Sequence, residues 1–323
     1  MRELNITMLG ARYVGKTSFL TSMFYEYEQN IAKTRIQLTP DQRTSSILGN
    51  KLAELKSLND NPRGGGVAST EASVGAKSIR SFIFDLGEKG KKPSLRLNFW
   101  DYPGGYITAE NNSEQQDFVK ERLEDSEVVL IAIDTPTLME AKGKWHSARN
   151  RPLDVISHFR RYYTDIKYPR LVILAPIKCE TYLQNEASTN LLLQKIKREY
   201  ASLLDLFSSE SLIDKIAVVV TPVQTVGTIF FSYIDIVNGQ PIPRFKKINP
   251  DAEYNPKNNE QPLKYLLRFL LKQQIQTRWG ILNFVRGWMK LDEYLKEAVR
   301  EFAKDCKTSG GFEIIQGKDL LNI

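Results

Sequence analysis

Residues 10 to 17 read Gly10-Ala11-Arg12-Tyr13-Val14-Gly15-Lys16-Thr17 and satisfy every fixed position of the pattern G-x-x-x-x-G-K-[ST]. The flanks are those the pattern needs. Leu4, Ile6, Met8 and Leu9 form a short apolar run before it, as in a buried parallel strand. After it, Ser18 opens a stretch with an apolar stripe at Phe19, Leu20, Met23 and Phe24, which reads as a helix. Strand, glycine loop and helix in that order make a pocket for an anion, because loop and helix N-terminal N–H groups point into it. The expectation is that Gly10, Ala11, Tyr13, Val14, Gly15, Lys16, Thr17 and Ser18 wrap the phosphates of a nucleoside triphosphate. Lys16 would reach the β- and γ-phosphates and the Thr17 hydroxyl would bind Mg²⁺. The loop does not say which base is attached.

The rest of the chain bounds the setting. At 323 residues it exceeds a minimal nucleotide-binding domain of about 150–200 residues. With 41% hydrophobic residues it can bury a large core. No apolar run reaches the roughly 18–20 residues of a membrane span. Arg2 and Glu3 lead straight into the first strand, unlike a signal peptide. Two cysteines, Cys179 and Cys306, give no disulfide framework, and a cytoplasmic setting is expected. The same count excludes a metal–cysteine cluster. The net charge is +7, but the basic residues are scattered, as in Arg160-Arg161 and Lys195-Ile196-Lys197-Arg198, so nucleic acid is not indicated.

The order of elements points to an α/β fold with a doubly wound, mostly parallel sheet. Residues 38 to 80 are polar and hold Pro62, the run Gly64-Gly65-Gly66 and a Ser/Thr-rich stretch; they read as a long mobile segment with a helix near Ser46–Leu58. Residues 79–86 and 95–100 form a hairpin, with the second run taken as an edge strand. A helix is expected over Ser113–Leu123, and Val128–Asp134 reads as a central strand. A lysine-rich loop covers 137–150, followed by a helix over Pro152–Tyr163. A strand over Leu171–Pro176, one helix over Ala187–Leu206 and a strand over Ile216–Thr221 complete the alternation. Residues 229–248, with Asn238-Gly239 at the turn, look like an inserted hairpin. Helices follow at Leu263–Gln274 and Ile281–Cys306, the latter rich in aromatics at Phe284, Trp288 and Tyr294. A domain over 1–275 with a C-terminal helical extension over 276–323 is therefore expected.

A second motif follows the strand ending at Trp100. Asp101-Tyr102-Pro103-Gly104-Gly105 places an acidic residue at a strand end, where it can hold the water shell of Mg²⁺. Gly104 lets its backbone N–H approach a γ-phosphate. Thr17 and Asp101 would then share one metal ion.

From here the chain resembles the Ras-like, TRAFAC-class P-loop GTPases. Their guanine-reading motif [NT]-K-x-D finds a counterpart in Ile177-Lys178-Cys179-Glu180. Lys178 fits, Glu180 stands for the family Asp, and Ile177 departs from the pattern. The segment from Thr221, Pro222 and Val223 to Gly227 falls where the family's last base-contacting loop is expected. The combination is most similar to bacterial double-GTPase-type domains of predicted conflict and signalling systems. The resemblance implies GTP and GDP as ligands, Mg²⁺ as cofactor and a protein partner controlled by the bound nucleotide. ATP remains the alternative base, and a nucleotide-locked scaffold the alternative function.

The resemblance also implies a threonine of the first switch on Mg²⁺. Thr70 is the candidate, with Ser69, Ser73 and Ser78 as rivals. The family's water-orienting glutamine is replaced by Gly105, so hydrolysis should be slow or depend on another group. Arg12 can lie on the phosphates as a built-in cation or point to solvent. Glu110, Gln115 and Gln116 are further candidates if the second switch folds back.

Overall fold

The computed structural model describes residues 1–61, 80–101, 104–107, 113–164, 166–277 and 293–323. In chain order, β1 (Arg2–Leu9) leads to α1 (Lys16–Asn30), then β2 (Ile36–Pro40), α2 (Gln42–Asp60), β3 (Arg80–Glu88) and β4 (Leu95–Asp101). Next come α3 (Ser113–Asp125), β5 (Val128–Asp134), α4 (Thr135–Met139), α5 (His146–Asn150) and α6 (Pro152–Tyr162). Then follow β6 (Arg170–Ile177), α7 (Glu186–Glu199), α8 (Ala201–Phe207) and β7 (Ile216–Val220). The chain closes with β8 (Ile229–Val237), β9 (Gln240–Lys247), α9 (Glu260–Thr277), α10 (Glu293–Ala303) and β10 (Glu313–Gln316).

Eight strands form one sheet in the order β10-β7-β6-β5-β1-β4-β3-β2. The five from β7 to β4 run parallel, and β3, β2 and β10 join antiparallel at the two margins. The central strands are apolar on both faces because both are covered. Along β5, Val128, Leu130 and Ala132 face one core, while Val129, Ile131 and Ile133 face the other. The first core takes Phe19 and Met23 from α1, Leu263 to Leu271 from α9, and Leu295 and Val299 from α10. The second takes Val119 from α3, Phe159 from α6, Ile196 from α7 and Phe207 from α8. Phe159 is fully buried and stacks edge-on against Phe207 and Tyr163. Truncating it to alanine would cost about 3–5 kcal/mol.

Several expectations change. The run ending at Trp100 is not an edge strand: β4 lies inside the sheet, parallel to β1 and antiparallel to β3. Residues 36–40, which overlap the start of the segment expected to be mobile from 38, form the true margin, β2, on β3. The helix after it is longer than expected, because Asp41 caps it by accepting from Thr44 N at 2.7 Å. The stretch 137–150 is not a plain loop; Asp134 caps α4, a tight turn follows, and α5 closes it. The helix expected over 187–206 breaks at Tyr200, whose backbone leaves helical values (φ −107°, ψ 15°). From the expected last helix, 293–303 is seen as α10, and 278–292 lie outside the described residues. The C-terminal stretch also contributes a strand, β10, to the sheet. The hairpin β8–β9 forms a two-stranded sheet of its own, turning at Asn238 and Gly239, both with positive φ (51° and 74°).

Candidate functional site

The motif loop spans the carboxyl end of β1 and the first turn of α1, beside β4 and β5. This is the end of a parallel sheet where open α/β folds bind ligands. The first N–H groups of a helix have no carbonyl behind them in the helix, so the first turn of α1 offers donors to the loop's concavity. Gly15 has φ 114°, and a Cβ there would lie 3.0 Å from Ile177 Cδ1, with Lys178 Cε at 3.5 Å. The strand-end residues of β6 thus lie directly on the loop.

Three polar side chains from two motifs meet here. Met8 pairs with Asp101 across β1 and β4, and this register sets the carboxylate beside the loop. Thr17 Oγ1 donates to Asp101 Oδ2 at 2.9 Å, and Lys16 Nζ stands 3.5 Å from Asp101 Oδ1. Lys16 Nζ also donates to Gly10 O at 2.9 Å. Lys16 and Thr17 are buried. The hydroxyl and carboxylate are hard oxygen donors of the kind Mg²⁺ takes. Among the described residues no group of three or more His, Cys, Asp or Glu could hold a metal. The set therefore fits a cation that takes one or two protein oxygens and completes its shell with phosphate and water.

Gly104 is pressed onto the loop. A Cβ at this position would lie 2.0 Å from Arg12 N and 2.3 Å from Ala11 C, which no side chain can occupy. Gly105 is exposed and has open space around its Cβ position. Arg12 is exposed and its guanidinium stacks on the Tyr13 ring at 4.8 Å. Tyr13 is held at φ 65°, a left-handed conformation that is strained for a tyrosine. Val14 is fully buried, and Ser18 accepts through its carbonyl from Ser22 at 2.9 Å.

Behind the loop sits a group that the sequence does not bring together, and of its members only Lys178 is a sequence candidate. Asp134, at the end of β5, is fully buried. Its Oδ2 accepts from Lys178 Nζ and stands 3.7 Å from Arg149 Nε; its Oδ1 accepts from Thr137 N and Thr137 Oγ1 at 3.1 Å each. Burial pushes its carboxyl up, but the Lys178 and Arg149 charges and these hydrogen bonds outweigh that and hold it below the usual range. Arg149, from α5, donates to the Tyr13 carbonyl at 3.1 Å. Asn150 ties α5 to the end of β5, accepting from Asp134 N at 2.7 Å and donating to Asp134 O at 3.1 Å. Nothing in the local sequence pairs positions so far apart; the one signal was an aspartate ending an otherwise apolar strand.

The residues expected to read the base come together, but as packing. Glu180 is buried; its Oε1 accepts from Val226 N at 2.7 Å and Gly227 N at 3.1 Å, and its Oε2 has no hydrogen-bond partner. Burial raises its pKa, against the hydrogen bonds from those two amides. Thr221 is fully buried with its hydroxyl unpartnered. Pro222 lies near Gly311, and Val223 is in the core, exchanging backbone bonds with Pro176 O and Cys179 N. Lys178 turns to Asp134 rather than to an open face. Gln116 accepts from Arg161 at 3.3 Å. Thr70, its rivals Ser69, Ser73 and Ser78, and Glu110 lie outside the described residues.

No family model and no curated protein matches the chain. Among solved structures it is similar to the S. cerevisiae Ski7 GTPase-like domain bound to GTP, at 17% identity and TM-score 0.38, covering 70% of this chain and 44% of that one. The same domain bound to GDP and inorganic phosphate matches at 14% identity and TM-score 0.41, covering 88% of this chain and 52% of that one. The chain spans about half the length of these structures. Likenesses at this level do not bear on what the chain binds.

Proposed function

We propose that the chain is a cytoplasmic guanine-nucleotide-binding switch or slow GTPase of the P-loop class, using Mg²⁺ and controlling a partner protein. The observation that carries the reading is the meeting of Lys16, Thr17 and Asp101 at the N-terminus of α1. Lys16 would leave Gly10 O for the β- and γ-phosphate oxygens, adding charge-assisted hydrogen bonds. Mg²⁺, when bound, neutralises charge on the same oxygens. Thr17 and Asp101 would hold it, with Thr70 a further candidate. Loop amides from Gly10 to Ser18 would orient the phosphate chain, and Gly104, packed on Ala11 and Arg12, would offer its N–H to the γ-phosphate. Gly105 brings no group to orient water, which supports slow turnover. Arg12, exposed and stacked on Tyr13, would add a cation only by leaving that ring for the phosphates.

Guanine is supported by Glu180. Its Oε2 is an unpartnered acceptor, and only guanine offers paired N1–H and N2–H donors to a carboxylate. The second reading is ATP, favoured by the commitment of Glu180 Oε1 to the Val226 and Gly227 amides. The partner surfaces would be the hairpin β8–β9 and the C-terminal helices, in a bacterial defence or signalling setting. The test is to identify the nucleotide that co-purifies with the wild-type chain and with Lys16→Ala. Guanine nucleotide on the first and none on the second is expected; adenine nucleotide alone would sink the guanine reading.

A further inference from the structure

We propose that Arg149, anchored by Asp134, is a positioning residue for the motif loop and sets how long a bound nucleotide stays. The inference rests on the nucleotide-binding reading above and adds to it a device outside the motifs. Arg149 lies in α5, far along the chain from the loop, yet its guanidinium donates to Tyr13 O at 3.1 Å and stands 5.5 Å from the Tyr13 ring centroid. Arg149 and Asp134 are both buried, so the ion pair that anchors the guanidinium is screened little by salt. Asp134 is itself immobilised: the Thr137 hydroxyl and amide and the Lys178 ammonium bind its carboxylate, and Asn150 binds its backbone on both sides.

The brace acts on the residue that needs it. Tyr13 is the one non-glycine residue of the octet with positive φ, a conformation that persists only when its surroundings over-determine it. Arg149 does so by holding the carbonyl and flanking the ring. The other side of the same peptide is held too, since Val14 N donates to Ala11 O at 3.5 Å, so Arg149 fixes the turn of the loop on which the path of its later amides depends. The electrostatics agree. Arg149 and Lys178 share one carboxylate, so the group has two cations for one anion behind a loop that takes phosphates. Loss of Arg149 frees a strained peptide and removes a positive charge behind the site. Both changes speed release; neither removes Lys16, Thr17 or Asp101.

The experiment is stopped-flow release of N-methylanthraniloyl-GDP from the full chain, with Mg²⁺ present, for wild type, Arg149→Met, Arg149→Lys, Tyr13→Gly and the double variant Tyr13→Gly/Arg149→Met. Release from Arg149→Met should be about ten-fold faster or more, the loss of one charge-assisted hydrogen bond. Arg149→Lys, which keeps the charge and the stem, should fall between and serves where Arg149→Met fails to fold. In the Tyr13→Gly background the same change should have a smaller effect, because glycine holds positive φ without support. That non-additivity is what a merely stabilising arginine would not produce. Wild-type release rates in both Arg149 variants, with Lys16→Ala still abolishing binding, would overturn the brace and leave the nucleotide reading intact. Equal effects of Arg149→Met in the wild-type and Tyr13→Gly backgrounds would overturn the role of Tyr13. A wild-type chain that binds no guanine or adenine nucleotide would instead overturn the reading beneath it.

Discussion

The loop after β1 and the loop after β6 lie against each other, yet they treat their polar groups in opposite ways. Around the first, Lys16, Thr17 and Asp101 bond to one another through side chains that can part and take new partners. Around the second, Glu180 is bound to backbone amides, Thr221 is buried and Val223 is core. The polar groups of the first loop can change partners, while those of the second are already satisfied by the fold except at Glu180 Oε2 and the Thr221 hydroxyl. Ligand affinity should therefore be set by the first loop and ligand choice by small adjustments in the second.

The largest break in that contrast is Lys16→Ala. It should weaken nucleotide binding by about 4 kcal/mol, roughly 1,000-fold, as two charged hydrogen bonds are lost. Isothermal titration with GDP and Mg²⁺ measures it, and a loss under about ten-fold would place the phosphates elsewhere.

Acid should act on the two sides with opposite sign. His146, which meets Asn150 Nδ2 through Nδ1 at 3.0 Å, is buried on the brace side. Burial lowers its pKa from 6.5 to about 4; the Glu199 charge opposes this and that of Lys195 adds to it. Its contribution is full above pH 6.5 and is lost as pH falls toward 4, about 3 kcal/mol in all. Glu180 has a raised pKa, so its burial is costless below the ordinary 4.5 and costs stability as pH rises through the raised value. Denaturant melts from about pH 7 to about pH 4 should show acid loss in the wild type and a shallower loss in His146→Gln. Parallel curves would remove His146 as the cause.

Gly104→Ala comes next. Its Cβ would lie 2.0 Å from Arg12 N, so the 104–107 turn must lift, at a cost of about 2 kcal/mol. The affinity ratio of a non-hydrolysable triphosphate to the diphosphate should fall toward one. A ratio that stays at the wild-type value would free Gly104 of any γ-phosphate role.

The smallest change probes the base side. Glu180→Gln keeps an oxygen for Val226 and Gly227 but puts an amide donor at the unpartnered position. Guanine preference over adenine should drop about ten-fold, or about 1.4 kcal/mol, with little change in melting temperature. An unaltered ratio in competition binding would show that Glu180 is only a clasp for its loop.

The parts legible in the sequence are those whose signal is local. The strand–loop–helix unit is contiguous, and β5, β6 and β7 announce themselves as unbroken apolar runs. The position of β4 was misjudged because a hairpin does not reveal which of its strands meets β1. In β2, Ile36 and Leu38 are buried and alternate with exposed Gln37 and Thr39, a true period of two, but five residues beside a polar stretch are easily passed over. The strand β10 has four residues and is a strand only because β7 offers a free margin. Of the site, Lys16, Thr17 and Asp101 were readable from motif spacing. The Arg149–Asp134–Lys178 group was not, because it depends on three separate strand and helix ends arriving at one point.

The hairpin β8–β9 has a practical consequence. A two-stranded ribbon holds little stability of its own, so its fold depends on its base, where Ile229 packs with Leu55 and Tyr254 and Phe231 N donates to Thr181 Oγ1 at 2.8 Å. The tip at Asn238 and Gly239 is exposed and far along the ribbon from those anchors. A reporter domain spliced between these two residues should leave the eight-stranded sheet unaltered, giving a fluorescent version of the chain.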